Sequence, residues 1–232
     1  MLELLQGSDI PAPEIVALDP DAETCDVPAL LMTRLPGHLD LTPKDMQGWL
    51  GQMAAALPRI HGLPADNSIG PYRPYSDPRT VDLPRWSRRQ RAWRTVLDLA
   101  YGPRPRARRC FIHRDYHPAN ILWSRGKLSG IIDWINASNG PLEMDVAHCR
   151  LNLAGLYGLA VADRFLAAYQ SLLGRTAADF HPYWDAIDLM DSGFADRGDV
   201  FAGWRVIGPP ELTTELVRAR LDAYAAAIAA RC

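Results

Sequence analysis

The chain has 232 residues, of which 48% are hydrophobic and 22% are charged, and this composition is typical of a globular protein with a sizeable core. The net charge of −2 gives no general electrostatic attraction to nucleic acid, and no apolar run of about 18 residues is present to span a bilayer. No basic-then-apolar segment opens the chain, and the four cysteines follow no Cys-x-x-Cys or metal-ligand spacing. The sequence therefore predicts a reduced, cytoplasmic protein that binds neither nucleic acid nor membrane.

The first 36 residues are predicted to hold the last turn of a helix and two β-strands. The strands are expected at residues 14–18 and 30–35, and Ile10-Pro-Ala-Pro13 separates the helix from the first of them. An isolated hairpin is only marginally stable in water, and its unpaired edges attract other strands. The pattern therefore indicates that further strands belong beside this pair.

The rest of the chain is predicted to be mostly helical, because its apolar residues recur at helical spacing. Thr42-Pro43-Lys-Asp45 combines a capping residue, a proline at the first position and an acid in the first turn, so a helix is expected to begin there. The buried face of that helix would consist of Met46, Leu50, Met53, Leu57 and Ile60. Residues 62–84 are rich in proline, glycine and aspartate and predict a long surface connection. Further helices are expected at residues 85–101, 141–157, 161–173, about 183–201 and 211–230.

A run of arginines lies on and after the predicted helix at residues 85–101. Its members are Arg85, Arg88, Arg89, Arg91, Arg94, Arg104, Arg106, Arg108 and Arg109. The run has two interpretations, a solvated face or a surface that attracts phosphate or a partner. A nucleic-acid-binding protein is a third functional hypothesis, which salt-dependent retention on DNA would test. Trp86 and Trp93 lie close to two helical turns apart and are expected to attach one side of the helix to the core.

The segment 113–120 reads His-Arg-Asp-Tyr-His-Pro-Ala-Asn, and Asp133 follows Asn120 by 13 residues, within Gly-Ile-Ile-Asp-Trp. This order and spacing match the pattern H-R-D-x-x-x-x-N of phosphoryl-transfer sites. In such a site Asp115 accepts the proton of the attacking hydroxyl or holds that hydroxyl in line. Asn120 and Asp133 offer hard oxygen ligands to Mg²⁺. Two short strands around Ser124-Arg-Gly126 are expected to hold both ligands close together.

These residues resemble the aminoglycoside phosphotransferase and choline kinase-like enzymes, distant relatives of the protein kinases. Residues 30–37 are similar to the hinge of that family, residues 113–122 to its catalytic loop, residues 130–134 to its metal strand and residues 140–148 to the start of the next helix. A protein kinase would have Asp-Phe-Gly at Asp133-Trp134-Ile135 and Lys at His117. These differences favour a small-molecule kinase.

The resemblance implies an α+β, protein-kinase-like fold with two parts. Residues 1–36 would be the remnant of an N-terminal nucleotide-binding lobe with its hinge, and residues 37–232 would form the helical catalytic and substrate lobe. It also implies that the backbone of Thr33 and Leu35 contacts the adenine of ATP, or the base of GTP, with Met32 behind it.

The same resemblance assigns roles around the catalytic loop. Asp115 would be the catalytic base, and Asn120 and Asp133 would bind Mg²⁺. Asp145 would be a buried partner that braces the loop, although a first-turn carboxylate also interacts favourably with the helix dipole, and both can hold. His113 and His117 are interpreted as residues that organise the loop rather than as acid–base groups.

Three parts of the family's small lobe have no counterpart in the sequence: the phosphate-covering glycine loop, the strand lysine and the helix glutamate. The chain's two lysines, Lys44 and Lys127, do not follow a glycine loop, and Glu3 lies too close to the end of its helix. Either the natural start lies upstream or the chain is a natural remnant. The corresponding functions are an ATP- and Mg²⁺-dependent phosphotransferase and a catalytically silent nucleotide- or ligand-binding module.

The acceptor is expected to be a small molecule with a hydroxyl group, such as an aminoglycoside. Acidic residues are frequent on the late helices, where they would attract a cationic acceptor or simply face solvent. These residues are Asp163, Asp185, Asp188, Asp191, Asp196, Asp199, Glu211 and Glu215.

Overall fold

The computed structural model describes residues 1–64, 69–75, 77, 80–194 and 202–232. The helices in these ranges are α1 Leu2–Leu5, α2 Met46–Ile60, α3 Gln90–Tyr101, α4 Glu143–Tyr157, α5 Leu159–Leu172, α6 Pro182–Asp191, α7 Ala202–Ile207 and α8 Thr214–Ala229. The strands are β1 Ile15–Asp19, β2 Ala29–Met32, β3 His38–Leu39, β4 Arg109–Ile112, β5 Ile121–Ser124, β6 Lys127–Ile131 and β7 Ser138–Pro141. The fold is therefore of the predicted α+β class.

Three small antiparallel sheets form from these strands, in the orders β1-β2, β3-β5-β6 and β4-β7. The β5-β6 pair is the predicted hairpin, with Ile121 opposite Ile131 and Ser124 opposite Lys127. Arg125 and Gly126 both have positive φ, at 51° and 72°, as a two-residue type I′ turn requires. The turn returns β6 alongside β5, which brings the residues after β6 back to the start of β5.

Helix α4 lies at the centre of the helical part. All of its residues from Met144 to Leu156 are buried, so it has no solvent face. Helices α5, α6 and α8 pack around it, α2 packs on α5, and α3 packs on α6 and α8. Helix α4 begins beside the predicted catalytic loop at residues 113–122. The packing of α4 therefore fixes one end of the predicted site to the core.

The β1-β2 hairpin has apolar side chains on its surface. Val16, Leu18, Leu30, Leu31 and Met32 are all exposed. The segment before β1 is attached to the β5-β6 hairpin, because the Ile131 amide donates to the carbonyl of Pro11 over 2.7 Å. The two predicted strands are therefore present, and within the described residues they pair only with each other.

The start of α2 was predicted wrongly. The helix begins at Met46 and not at Thr42-Pro43, because the carboxylate of Asp45 is its cap and accepts the Gly48 amide over 2.9 Å. The expected buried residues of this helix do lie in the core, with Met46 partly buried at its edge.

The start of α3 was also predicted too early. Asp222 accepts the hydroxyl of Ser87 over 2.5 Å and the amide of Arg88 over 2.9 Å, and this holds the chain in a turn until Gln90. Arg85, Arg88 and Arg89 therefore precede the helix. Trp93 is fully buried and meets Trp86 edge-on at 5.6 Å, as expected of the residues that attach this segment to the core.

Three short strands were not expected from the sequence, namely β3, β4 and β7. Arg109–Ile112 pairs with Ser138–Pro141, so residue 141 ends a strand and α4 begins at Glu143. The predicted helix at about 183–201 is observed as α6, which ends at Asp191, while residues 195–201 lie outside the described part of the chain. Across the described ranges, every helix is too short or too polar to traverse a bilayer.

Candidate active site

Asp145, in the first turn of α4, holds the catalytic loop by two hydrogen bonds. The amide of His113 donates to its Oδ2 over 2.9 Å, and the amide of Arg114 donates to its Oδ1 over 2.7 Å. His61 Nε2 lies 3.1 Å from the same Oδ2. Burial raises the pKa of Asp145, but the hydrogen bond and charge of His61 and the loop hydrogen bond outweigh it and lower the pKa. Arg114 adopts a φ of 71°, a backbone conformation that is rare for residues other than glycine. The two hydrogen bonds to Asp145 stabilise this conformation.

Asp115 lies at the end of this braced segment and is partly exposed, with 22% of its side chain accessible. Its Oδ1 lies 3.0 Å from His148 Nε2 and 3.5 Å from His117 Nε2. Burial raises the pKa of Asp115, but the hydrogen bond and positive charge of His148 lower it below its usual range. The carboxylate is therefore ionised at neutral pH.

Asn120 is in direct contact with Asp115. Its side-chain nitrogen donates to the backbone carbonyl of Asp115 over 2.9 Å and to the carboxylate over 3.3 Å. The side-chain nitrogen of Asn120 is thus engaged in hydrogen bonds, and its side-chain oxygen remains available to bind a cation. The Asn120 carbonyl accepts the Ile132 amide over 3.0 Å, which places Asp133 one residue beyond this bond.

Asp133 is exposed and has a left-handed backbone, with φ 63° and ψ 59°, at the start of a 3₁₀ turn, Trp134–Asn136. Asparagine and aspartate tolerate this conformation better than other side chains do. An amide oxygen and a carboxylate at one end of the β5-β6 hairpin are hard oxygen ligands of the kind that Mg²⁺ takes in proteins.

Two histidines make their ring contacts with the loop's own backbone. His113 accepts the Asp115 amide at Nδ1 over 3.2 Å and donates from Nε2 to the carbonyl of Ile132 over 2.9 Å. His117 accepts the Ala119 amide at Nδ1 over 3.2 Å. Burial lowers the pKa of His113. The pKa of His117 falls to about 3, because burial and the positive charge of His148 both lower it. Both rings are neutral at physiological pH.

Ligand atoms of Asp115, His117 and His148 all lie within 4.8 Å of one another. The hydrogen bond from Ala119 to Nδ1 of His117 places the ring proton of His117 on Nε2. That nitrogen therefore faces Asp115 as a donor, whereas a metal-ligating histidine needs an unprotonated nitrogen there. The tautomer favours a hydrogen-bonded cluster over a transition-metal centre.

His148 is a site residue that the sequence reasoning missed. Its Nε2 meets Asp115 at 3.0 Å, and its Nδ1 lies 3.2 Å from Asp188 Oδ1 on α6. Burial lowers the pKa of His148, but the charge of Asp188 and the hydrogen bonds to both carboxylates raise it more, to about 9. His148 is thus protonated at neutral pH. The available signal was its position about one helical turn after Asp145 on the same predicted helix.

Arg114 is a second residue that the sequence reasoning missed. It is buried and forms ion pairs with Asp191 and, at 3.7 Å, with Asp188. Its guanidinium lies over the ring of Tyr75 at 3.8 Å and over that of Tyr72 at 4.9 Å. The signal was the spacing of Asp188 and Asp191, which puts two acids on one face of a helix.

For three of the acids on the late helices both alternatives are wrong, since these residues neither face solvent nor are available to a cationic acceptor. Asp185, Asp188 and Asp191 are buried, with at most 3% of each residue exposed. Asp185 accepts hydrogen bonds from Arg150 over 3.0 Å and from Tyr224 over 2.8 Å, and the other two pair with Arg114 and His148. Asp196 and Asp199 lie outside the described residues.

The predicted hinge residues follow β2 and lie against the catalytic hairpin. Met32 and Thr33 are exposed. The Thr33 amide donates to the carbonyl of Glu14 over 2.9 Å. The carbonyl of Thr33 is therefore the backbone group that it can offer to a nucleotide base. A Cβ atom at Gly130 would lie 2.9 Å from the Leu35 side chain, which shows how closely the hinge meets β6. Ser129 donates to the carbonyl of Pro36 over 2.7 Å and fixes this contact.

The chain belongs to the phosphotransferase enzyme family (APH), whose family model matches residues 1–185. The fold is shared with solved structures of low sequence identity. A protein from Ralstonia eutropha JMP134 that is assigned to the aminoglycoside phosphotransferases is 16% identical, with a TM-score of 0.64 over 99% of this chain and 80% of that one.

Two further structures have the same fold. A thermostable mutant of aminoglycoside phosphotransferase APH(4)-Ia, in a ternary complex with ADP and hygromycin B, is 18% identical, with a TM-score of 0.59 over 93% of this chain and 77% of that one. A macrolide 2′-phosphotransferase type I is 17% identical, with a TM-score of 0.55 over 95% and 76%. No curated protein matches the chain significantly. The predicted family and kinase-like fold are confirmed.

Proposed function

We propose that the protein transfers the γ-phosphate of ATP or GTP to a hydroxyl group of a small molecule, with Mg²⁺, in the cytoplasm. The observation that carries this proposal is the contact between Asp115 and Asn120 on a loop that Asp145 holds in place. Family membership and solved neighbours with ADP and other nucleotides support it. All four cysteines are free, which suits a reducing compartment.

In the proposed reaction Asp115 receives the acceptor hydroxyl at its accessible oxygen. Because this carboxylate is ionised, it orients the hydroxyl and takes its proton as the hydroxyl oxygen forms its bond to the γ-phosphorus and the nucleoside diphosphate departs. His148, on the other side of Asp115, fixes the carboxylate and stays protonated.

Asn120 and Asp133 would hold Mg²⁺ in this proposal, through the amide oxygen and the carboxylate. The ion, when bound, neutralises charge on the phosphate oxygens. The backbone of Thr33 and Leu35 would contact the base, with Met32 behind it. Residues 1–36 would thus supply the nucleotide side, and residues 37–232 the catalytic and acceptor side.

Replacement of the proposed base is the direct test. Asp115→Asn keeps the shape of the side chain and an acceptor for His148 but removes the proton acceptor, so turnover should fall by about 10²–10⁴-fold. Transfer of labelled phosphate from ATP to a hydroxyl compound measures this, and circular dichroism checks the fold. Asp98→Ala, at an exposed position on α3, is the control and should leave the rate unchanged. Wild-type turnover in Asp115→Asn would remove Asp115 from the mechanism.

The second candidate is a module that binds nucleotide without turnover. It is favoured by the position of the chain's two lysines, since Lys44 precedes α2 and Lys127 opens β6, and neither lies on β1 or β2. A nucleotide titration with and without Mg²⁺, run beside the transfer assay, separates the two candidates. Binding without transfer supports the module, whereas transfer that is lost in Asp133→Ala supports the enzyme.

A further inference from the structure

A cavity of about 350 Å³ opens beside Asp115. It lies between the catalytic loop, helix α4, the end of α6 and helix α7. Its volume suits a drug-sized organic molecule. Because Asp115 lines it, a hydroxyl group inside it can reach the proposed base.

The wall of the cavity opposite the loop is apolar and contains two aromatic rings. Phe194 and Trp204 lie with ring centroids 5.6 Å apart, and Ile207 completes this side. Trp204 is held from behind, because a Cβ atom at Gly155 on α4 would lie only 3.1 Å from its ring. The two rings are buried, and Ile207 is 38% exposed at the rim. The wall is thus formed in advance by packing.

Among the described residues, the polar end of the cavity and the groups behind it hold three carboxylates against two cations, which is a net charge of only −1. Asp115 is the one carboxylate among the described lining residues, and its charge is opposed by His148 at 3.0 Å. Asp188 and Asp191 lie behind this end and are occupied by Arg114 and His148. The remaining polar lining is neutral: His117, Asn152 and Ser192.

We propose that this cavity takes an uncharged hydroxyl compound with an apolar, ring-shaped body, and that it selects against polycations. The inference rests on the proposed function, since it concerns the acceptor of that reaction. A polycation would lose hydration around each ammonium group, and the described lining offers it only the carboxylate of Asp115 in return. An apolar ring would instead leave water for the surface formed by Phe194, Trp204 and Ile207.

Binding of two probes to the full chain without nucleotide tests the proposal. The probes are phenyl β-D-glucopyranoside, which is neutral and carries an aromatic ring, and hygromycin B, which is polycationic. Isothermal titration should give saturable binding of the aryl glucoside and weaker binding of hygromycin B. Nucleotide is omitted so that a failure of phosphoryl transfer leaves this measurement intact.

A matched pair of variants on α7 makes the test specific. Ile207→Asp places a carboxylate at the apolar rim, so it should weaken the aryl glucoside by about tenfold and strengthen hygromycin B. Val206→Asp adds the same charge at the neighbouring position, which is 83% exposed and does not line the cavity. It should leave both affinities within about twofold of wild type.

Three results would overturn the inference. The first is hygromycin B binding to the wild type as tightly as the aryl glucoside or more tightly. The second is a lack of saturable aryl glucoside binding at millimolar concentration. The third is an equal response of Ile207→Asp and Val206→Asp. The proposed function fails by a different result, which is nucleotide binding without phosphate transfer to any hydroxyl compound.

Discussion

His148 lies between two carboxylates, and its proton joins the catalytic loop to α6. Asp115 and Asp188 each contact one ring nitrogen, at 3.0 and 3.2 Å. The ring is buried, with 7% of the residue exposed, so loss of the proton would leave two carboxylates facing a neutral imidazole with little water to replace it. The pKa of His148 is raised from 6.5 to about 9 by these neighbours despite burial, and this shift links stability to pH.

The stability of the fold should therefore fall as the pH rises through the pKa of His148. A raised pKa stabilises the folded state fully below the unfolded value of 6.5, and that contribution is lost as the pH rises to about 9. The loss should be on the order of 3 kcal/mol, since the pKa rises from 6.5 to about 9 and each pKa unit corresponds to about 1.4 kcal/mol. Urea unfolding of the wild type and His148→Gln, at several pH values across this window, measures it.

The His148→Gln variant should be less stable than the wild type at neutral pH, and the difference should shrink as the pH rises to about 9, because the variant has no proton to lose over this window. If both proteins lose the same free energy of unfolding between these pH values, His148 is not the group that titrates.

At the scale of elements, α2 shows how a short cap decides where a helix begins. The Asp45 carboxylate accepts the amide of Gly48, whereas the sequence pattern pointed to Thr42 as the cap. Asp45→Ala should lower the free energy of unfolding by about 1 kcal/mol, and Thr42→Ala should have a much smaller effect. Urea denaturation of the two variants compares them directly, and the reverse order of effects would restore Thr42 as the cap.

The catalytic hairpin was predictable because its determinants are local. Ser124-Arg-Gly126 encodes a tight turn, and apolar residues flank it on both sides. The same holds for the spacing of Asp115 and Asn120, which a five-residue step of the loop brings into contact. Local patterns of this kind need no knowledge of the rest of the fold.

The remaining parts of the site depend on residues that are distant in the chain. His148 and Asp188 are 40 positions apart and meet only because α4 and α6 pack together. Strands β4 and β7 are four residues each, and the arginines before β4 conceal its apolar pattern. The turn before α3 is set by Asp222, on the last helix. Such pairs follow from packing, which a single sequence does not reveal.

At the scale of the whole molecule, the β1-β2 hairpin is a two-stranded sheet that no other strand of the described residues joins. Its strands expose Val16, Leu18, Leu31 and Met32, and edge strands of this kind tend to associate. The double substitution Val16→Lys, Leu31→Lys should reduce association at high protein concentration and change the free energy of unfolding by less than about 1 kcal/mol.

Sedimentation velocity over a range of concentrations measures this association. The control is the replacement of Arg88 and Arg218 by lysine. Both positions lie away from the hairpin, and the replacement leaves the surface charge unchanged. Equal association of the wild type and the hairpin variant would show that these apolar residues do not control it.

Gly130 sets the distance between the hinge and β6. A methyl group there would lie 2.9 Å from the side chain of Leu35 and 3.2 Å from that of Leu122, so any other residue would require these two side chains to shift. Asp133 follows three positions later on the same segment. A side chain at Gly130 would therefore disturb two predicted parts of the site together, the hinge at Leu35 and the segment that carries Asp133.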